Sequence, residues 1–135
     1  MLTKDDMLVA LHDAITEDQE FELADEIVDA MEASPQPFDL VAPILELIAN
    51  HPEVDFGSPG ELVHFVEKFY HQGYEDLLLE SVLKSPTVHN IWMLHRCYND
   101  NDPNLVRQIQ TLVGELKKDE TLDSQVRSMI EDLTW

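Results

Sequence analysis

The chain has 135 residues, of which 28 are acidic and 8 are basic, so its formal charge at neutral pH is −20. This length suits a single domain, and an apolar fraction of 44% is typical of a folded globular protein and not of a disordered one. The negative charge disfavours direct binding to nucleic acid or to an anionic membrane surface. We therefore expect one folded domain over residues 1–135 that contacts neither.

Apolar residues recur at three- and four-residue spacing along most of the chain, and no segment alternates with a period of two, which predicts helices and no strands. We expect about eight helices, each of about 10–16 residues. The longest joint is predicted between Asn50 and Gly57. In chain order, the apolar stripes begin at Met7, Ala24, Leu40, Leu62, Leu77, Val88, Leu105 and Val126.

Residues that commonly start helices precede several of these stripes. A side-chain oxygen at the cap position accepts a hydrogen bond from the first turn, and proline is favoured immediately after it. Asp39 as a cap would place Pro43 at the edge of the first turn of its helix. The predicted start signals are Thr3, the capping box Ser58-Pro59-Gly60-Glu61, Ser85-Pro86 and Asp102-Pro103.

Short joints force consecutive helices to lie antiparallel, so the predicted fold class is all-α. Two architectures remain open: stacked helical hairpins that form a small right-handed, HEAT-like solenoid, or a compact bundle. The paired order of the helices favours the stack, although no repeated consensus sequence is present.

No set of residues predicts catalysis, a cofactor or a metal site. Glu61 and His64 have the spacing of a di-iron motif, but the second Glu-x-x-His that such a site needs is missing. Lys68 lies between His64 and His71 and opposes a cation there. Cys97, the only cysteine, falls in an apolar helix and is predicted to be a buried, unreactive thiol. The first residues do not resemble a secretion signal, which predicts a cytoplasmic protein.

The acidic residues are concentrated in the first half of the chain, where residues 1–60 contain 15 acids and a single base, Lys4. On the second predicted helix they form a row opposite the apolar stripe, without any basic residue in it. Such a row is either a solvated outer face or a docking surface for a cationic partner, which it would attract at a raised association rate. This acidic ridge consists of Glu22, Asp25, Glu26, Asp29 and Glu32.

A second surface patch combines aromatic and polar side chains, a composition that is common in protein contacts. Phe69 is predicted to be in the core, whereas His64, His71 and Tyr74 are predicted at its edge. Trp92 lies on an apolar helix face and is predicted to be buried. The patch comprises His64, Phe65, Lys68, Phe69, Tyr70, His71, Tyr74 and Glu75.

Residues 57–99 contain two short motifs: Gly57-Ser58-Pro59-Gly60-Glu61-Leu62, and Pro86-Thr87-Val88-His89-Asn90-Ile91-Trp92-Met93-Leu94. This region, about a third of the chain, resembles an all-helical family of bacterial immunity proteins. Members of the family are encoded beside the toxins of contact-dependent growth inhibition or polymorphic toxin systems. The acidic first 56 residues lie outside the resemblance.

The resemblance implies a non-enzymatic inhibitor that binds the C-terminal domain of one cognate toxin, as a monomer in a one-to-one complex. Many such toxins are nucleases, which are basic because they bind polyanions, so the acidic surface is complementary to them. The alternative is a helical-repeat adaptor that binds a basic host protein. The predicted partner-binding residues are Glu22, Asp25, Glu26, Asp29, Glu32, Asp55, Glu61, His64 and Tyr70.

Overall fold

The computed structural model describes residues 2–57 and 60–135. It contains eight α-helices and one short 3-10 helix, Pro37–Leu40, which confirms the predicted all-α class. The helices are α1 (Lys4–Asp13), α2 (Asp25–Glu32), α3 (Val41–Asn50), α4 (Glu61–Glu67), α5 (Tyr74–Lys84), α6 (Val88–Tyr98), α7 (Pro103–Lys118) and α8 (Ser124–Asp132). Within the described residues there is no strand, and only two isolated β-bridges occur. None of these helices has both the length and the apolar character that crossing a membrane requires.

Three helices are shorter than the sequence predicts: α4 has 7 residues, α2 has 8 and α8 has 9. The α4 helix ends at Glu67, so Phe69 and Tyr70 lie in the turns that follow it. These turns include His71 at φ +68° and Gly73 at φ +118°. Because both values lie in the left-handed region, a right-handed helix cannot continue through them.

Two of the predicted helix starts are confirmed. The Thr3 side chain accepts a hydrogen bond from the backbone of Asp6, whose side chain accepts one in return. Asp102 caps α7, and Pro103 is the first residue of that helix. The predicted capping box at residues 58–61 includes Ser58 and Pro59, which lie outside the described residues.

The predicted cap at Ser85 is wrong, because Thr87 and Asn90 form the capping box of α6. The Ser85 carbonyl instead accepts a hydrogen bond from the Asn90 side chain at 2.9 Å. Asp39 does not cap α3 either, since it belongs to the 3-10 helix. Pro43 is the third residue of α3, where the backbone N–H has no helical partner to lose.

The core is centred on α3, which packs against α5; α5 packs on α6, and α6 on α8. All five apolar residues that α3 buries are at most 3% exposed. Tyr74, predicted at an edge, is completely buried, whereas Leu83 is 63% exposed. Trp92, predicted to be buried, is only half-buried, and the guanidinium carbon of Arg96 lies 5.2 Å from its ring centroid. The buried residues of α3 are Val41, Ile44, Leu45, Leu47 and Ile48.

The longest joint connects α1 to α2 over residues 14–24, and not α3 to α4 as the sequence predicts. Ile15, which follows α1, pairs with Phe21 in an antiparallel bridge that folds this joint back on itself. The joint then contacts residues 51–57, since the backbone N–H of Asp55 donates to the Gln19 carbonyl at 2.9 Å. This contact brings together two segments that are distant in the sequence.

Candidate functional site

An open cleft of about 440 Å³ lies where the α1–α2 joint meets the α3–α4 joint. One wall comes from residues 20–23, and the opposite wall comes from residues 55–57 together with the start of α4. Four lining residues are acidic, and none of the described residues that line the cleft is basic. The acidic residues of this acidic cleft are Glu20, Glu22, Asp55 and Glu61.

Backbone hydrogen bonds fix the first wall of the acidic cleft. The N–H of Thr16 donates to the Glu20 carbonyl at 2.8 Å, and the N–H of Glu22 donates to the Ala14 carbonyl at 2.9 Å. The hydroxyl of Thr16 also accepts from the Glu20 N–H at 3.1 Å. These bonds hold the backbone of both glutamates while their side chains remain exposed.

The second wall is held by local polar contacts around Asp55. One carboxylate oxygen of Asp55 accepts a hydrogen bond from the Gly57 N–H at 2.9 Å. The bridge between Glu20 and Asp55 runs parallel and sets the two walls side by side. Carboxylates held close together on an exposed surface repel one another, so a cation between them relieves that repulsion.

The base of the cleft is aromatic and continues into the protein. The rings of Phe21 and Phe56 have centroids 5.2 Å apart. Phe56, which is 3% exposed, also contacts the His89 ring at 5.6 Å, and His89 contacts Trp92 at 5.6 Å. This row of rings links the acidic cleft to the first turns of α6.

Three of the nine predicted partner-binding residues, Glu22, Asp55 and Glu61, therefore meet in one cleft. Glu20 also lines the cleft but was not among the predicted residues, because it falls between the first and second apolar stripes. The cluster of acids from Glu17 to Glu20 was visible in the sequence. Its position opposite Asp55 depends on pairing between two distant joints.

Of the predicted acidic ridge, Glu22 lies in the α1–α2 joint and lines the cleft, so it is not on the second helix as predicted. The other four ridge residues follow it along the chain on α2. Asp25 and Glu26 lie in the first turn of α2, and both they and Asp29 are exposed. Acidic residues in a first turn are stabilised by the helix dipole, which partly offsets their mutual repulsion. At the far end of the ridge, Glu32 accepts a hydrogen bond from the Lys68 ammonium group at 2.7 Å. The ridge therefore lacks bases in its own sequence, but one base from outside α2 pairs with it.

The last two predicted residues, His64 and Tyr70, do not line the acidic cleft. His64 is exposed on α4. Tyr70 is half-buried, and its hydroxyl donates to a carboxylate oxygen of Asp100 at 2.9 Å. Burial, together with this bond to Asp100, raises the pKa of Tyr70 above its usual value. Tyr70 thus joins the α4–α5 turn to the α6–α7 joint.

A cluster around His71 was not anticipated by the sequence analysis. The imidazole lies 3.6 Å from the Glu75 carboxylate, 3.7 Å from that of Asp100 and 4.0 Å from that of Asp102. The Glu75 carboxylate also accepts a hydrogen bond from the backbone N–H of His71 at 2.7 Å, which stabilises the left-handed backbone conformation of His71. Because His71 is 57% exposed at its side chain, water screens these charges.

Cys97 is buried, as predicted, and burial raises the pKa of its thiol to about 12. A thiol protonated at neutral pH is a poor nucleophile. In residues 2–57 and 60–135 no three His, Cys, Asp or Glu side chains are grouped as a metal site requires. Comparison of the chain with protein-family models, curated protein sequences and solved structures found no match.

Proposed function

We propose that this chain is a non-enzymatic immunity protein that binds and neutralises a cognate toxin domain, which is a basic nuclease. The observation that carries the proposal is the acidic cleft, which is lined by Glu20, Glu22, Asp55 and Glu61 and by no basic residue among those the structure describes. The exposed ridge of α2 follows it in the chain and extends the negative surface. A nuclease presents a positive surface to its polyanionic substrate, and a negative surface competes for it.

The resemblance of residues 57–99 to bacterial immunity proteins supports the same function. The start of α4, with Glu61 in the cleft, belongs to the region of resemblance. The cleft therefore joins that region to the acidic first half of the chain. In this proposal the cleft receives lysine or arginine side chains, and the ridge attracts the partner at longer range.

Under this proposal the chain acts in the cytoplasm as a monomer, in a one-to-one complex with the toxin domain. It needs no cofactor, performs no turnover and contacts neither nucleic acid nor membrane. In this proposal, successive helices stack antiparallel to one another, as they do in a small solenoid. A rigid stack of this kind offers a broad, preorganised surface.

Co-expression with the toxin domain encoded by the adjacent gene tests the proposal. We expect the chain to restore growth and to co-purify with the toxin in equal amounts. If it neither restores growth nor co-purifies, the proposed function is wrong. Binding to a basic host protein instead would identify the alternative, a helical-repeat adaptor.

A pair of triple variants tests the site separately from the net charge. Glu22→Gln, Asp55→Asn and Glu61→Gln remove three of the four negative charges of the cleft, and the asparagine can still accept the Gly57 N–H. Glu115→Gln, Glu120→Gln and Glu131→Gln remove the same charge from exposed positions on the α7–α8 side. We expect the first set to weaken toxin binding at least about tenfold and the second to change it by less than about threefold. Equal effects would assign the binding to overall charge and remove the cleft from the proposal.

The association rate adds an independent measurement. Steering between opposite charges accelerates encounter at low salt and fades as salt screens the field. We expect the rate constant to fall at least about tenfold between 20 mM and 500 mM sodium chloride. An unchanged rate would contradict a steering role for the ridge.

A further inference from the structure

His89 is a half-buried histidine in the first turn of α6, two residues after the Thr87 cap. Its ring packs edge-on against Phe56 with centroids 5.6 Å apart, and at the same separation it contacts Trp92. Phe56 belongs to the segment of residues 52–57, whereas Trp92 belongs to α6. The imidazole is therefore one contact between this segment and the helix.

The surroundings of His89 favour its neutral form. Its Nε2 atom is buried and has no hydrogen-bond partner in the part of the chain that the structure describes. Burial lowers the pKa of His89 below its usual value, and the nearby negative charge of Asp55 partly opposes this effect. The position at the start of α6 further disfavours the charged imidazolium, because the amino end of a helix dipole repels a cation.

The aromatic contacts and the charge identified at His89 come from the 52–57 segment and from α6. On the 52–57 segment, Asp55 is the charged residue that acts on the imidazole, and Phe56 is the aromatic one. On α6, Trp92 contacts the ring, and Arg96 lies over Trp92 with its guanidinium carbon 5.2 Å from the ring centroid. Arg96 is held there by Glu67, which offsets its charge. Asp55 is thus a carboxylate that stabilises an imidazolium at this position.

We propose that His89 makes the contact between α6 and the 52–57 segment sensitive to acid: the neutral imidazole holds Phe56 in place, and the imidazolium releases it. The charged ring requires hydration that a position between two aromatic rings does not provide. The ring gains water only by separating from Phe56, which loosens the segment. The driving change is a single proton taken up from solvent.

The direction of the pH effect follows from the lowered pKa of His89. Below about pH 6.5, the released or unfolded form binds a proton that the closed form excludes. Acid therefore favours release, and the closed form is fully stable only above this pH. For one linked proton, the equilibrium moves toward release by at most about tenfold for each unit that the pH falls.

The released segment carries Asp55 and Phe56, which line the acidic cleft. Acid should therefore also weaken capture of a basic partner in the cleft. This consequence for binding rests on the proposed function, whereas the acid sensitivity of the contact between α6 and the segment does not.

The first test compares urea unfolding of the wild type, His89→Phe and His64→Asn at pH 7.5, 6.5 and 5.5. Phenylalanine retains an aromatic ring without a charge, and the exposed His64 is the matched control. Between pH 7.5 and 5.5 the folding equilibrium constant of the wild type should fall. We expect that of His89→Phe to fall by a several-fold smaller factor. The control should follow the wild type. Identical pH dependence of His89→Phe and the wild type would overturn the proposal.

If His89→Phe does not fold, the variant Asp55→Asn and an NMR titration of the wild type test the proposal. Asp55→Asn removes the charge that favours the imidazolium, so it should enlarge the loss in acid. An NMR titration of the wild type should place the midpoint of the His89 ring signals below about pH 6.5, with the Phe56 signals changing at the same midpoint. A midpoint at or above the ordinary value, or unchanged Phe56 signals, would refute it.

Toxin binding at the same pH values separates the two proposals. If no complex forms at any pH, the proposed function fails, while the unfolding data still decide the role of His89. If a complex forms and weakens in acid equally for the wild type and His89→Phe, the regulatory role of His89 fails alone.

Discussion

Arg96 on α6 and Glu67 at the end of α4 form an ion pair with two hydrogen bonds, in which Nε and Nη2 of Arg96 donate to the two carboxylate oxygens at 2.7 and 2.9 Å. The guanidinium also lies over the Trp92 ring, which adds a cation–π contact. The hydrogen bonds to Glu67 raise the pKa of Arg96 above its usual value. This pair connects two helices that α5 separates in the sequence.

We expect Arg96→Met to lower the free energy of unfolding by about 1–2 kcal/mol, because it leaves Glu67 without its partner. Partial exposure of both side chains keeps the loss below that of a fully buried pair. Arg107→Met is the control, since the Arg107 side chain donates to Pro103 and Asn104 in the first turn of its own helix. Urea unfolding at neutral pH measures both. A loss no larger than that of the control would contradict a stabilising role for the pair.

Two leucines on α5 provide a matched test of the core. Leu78 is 0% exposed and Leu83 is 63% exposed. Leu78→Ala leaves a cavity and should cost about 2–5 kcal/mol, whereas Leu83→Ala should change stability by less than about 0.5 kcal/mol. Chemical denaturation monitored by circular dichroism compares them. Similar losses would mean that α5 turns a different face toward α3 and α6.

The cap of α6 can be assigned by substitution. Thr87→Ala removes the oxygen that accepts the Asn90 N–H and should cost about 1 kcal/mol. Ser85→Ala changes the residue that the sequence predicts as the cap and should cost less than about 0.5 kcal/mol. Thermal unfolding at matched concentration ranks the two variants. The reverse order would restore Ser85 as the cap.

The thiol of Cys97 should be unreactive in the native protein. Its pKa of about 12 leaves little thiolate at pH 8, so a thiol reagent should modify it at least about a hundredfold more slowly than the unfolded chain. As pH rises past about 8.5, the unfolded chain releases the Cys97 thiol proton, whereas the folded chain keeps it. The stability that the buried, protonated thiol contributes is therefore lost as the pH approaches about 12. Cys97→Ala should therefore lose less stability than the wild type as the pH is raised. Rapid modification of the native protein would disprove its burial.

Local sequence signals located most helices because the responsible forces act within one or two turns. The stripe on α7 places Leu105, Ile109 and Leu116 on one face, and all three are buried. Thr3 and Asp102 cap helices through bonds to residues no more than three positions away. Tyr74 shows where this reasoning fails, since its burial depends on the helices around it and not on its neighbours in the chain.

The sequence by itself determined an acidic, all-helical chain, because charge follows from composition and helix formation follows from the spacing of apolar residues. The tertiary structure alone decided which carboxylates meet. Glu20 and Asp55 are adjacent because the backbone of one joint hydrogen-bonds to that of the other. The placement of His89 between Phe56 and Trp92 depends on the same long-range packing. Contacts between such distant segments depend on how the whole core closes, and no periodicity along the chain encodes them.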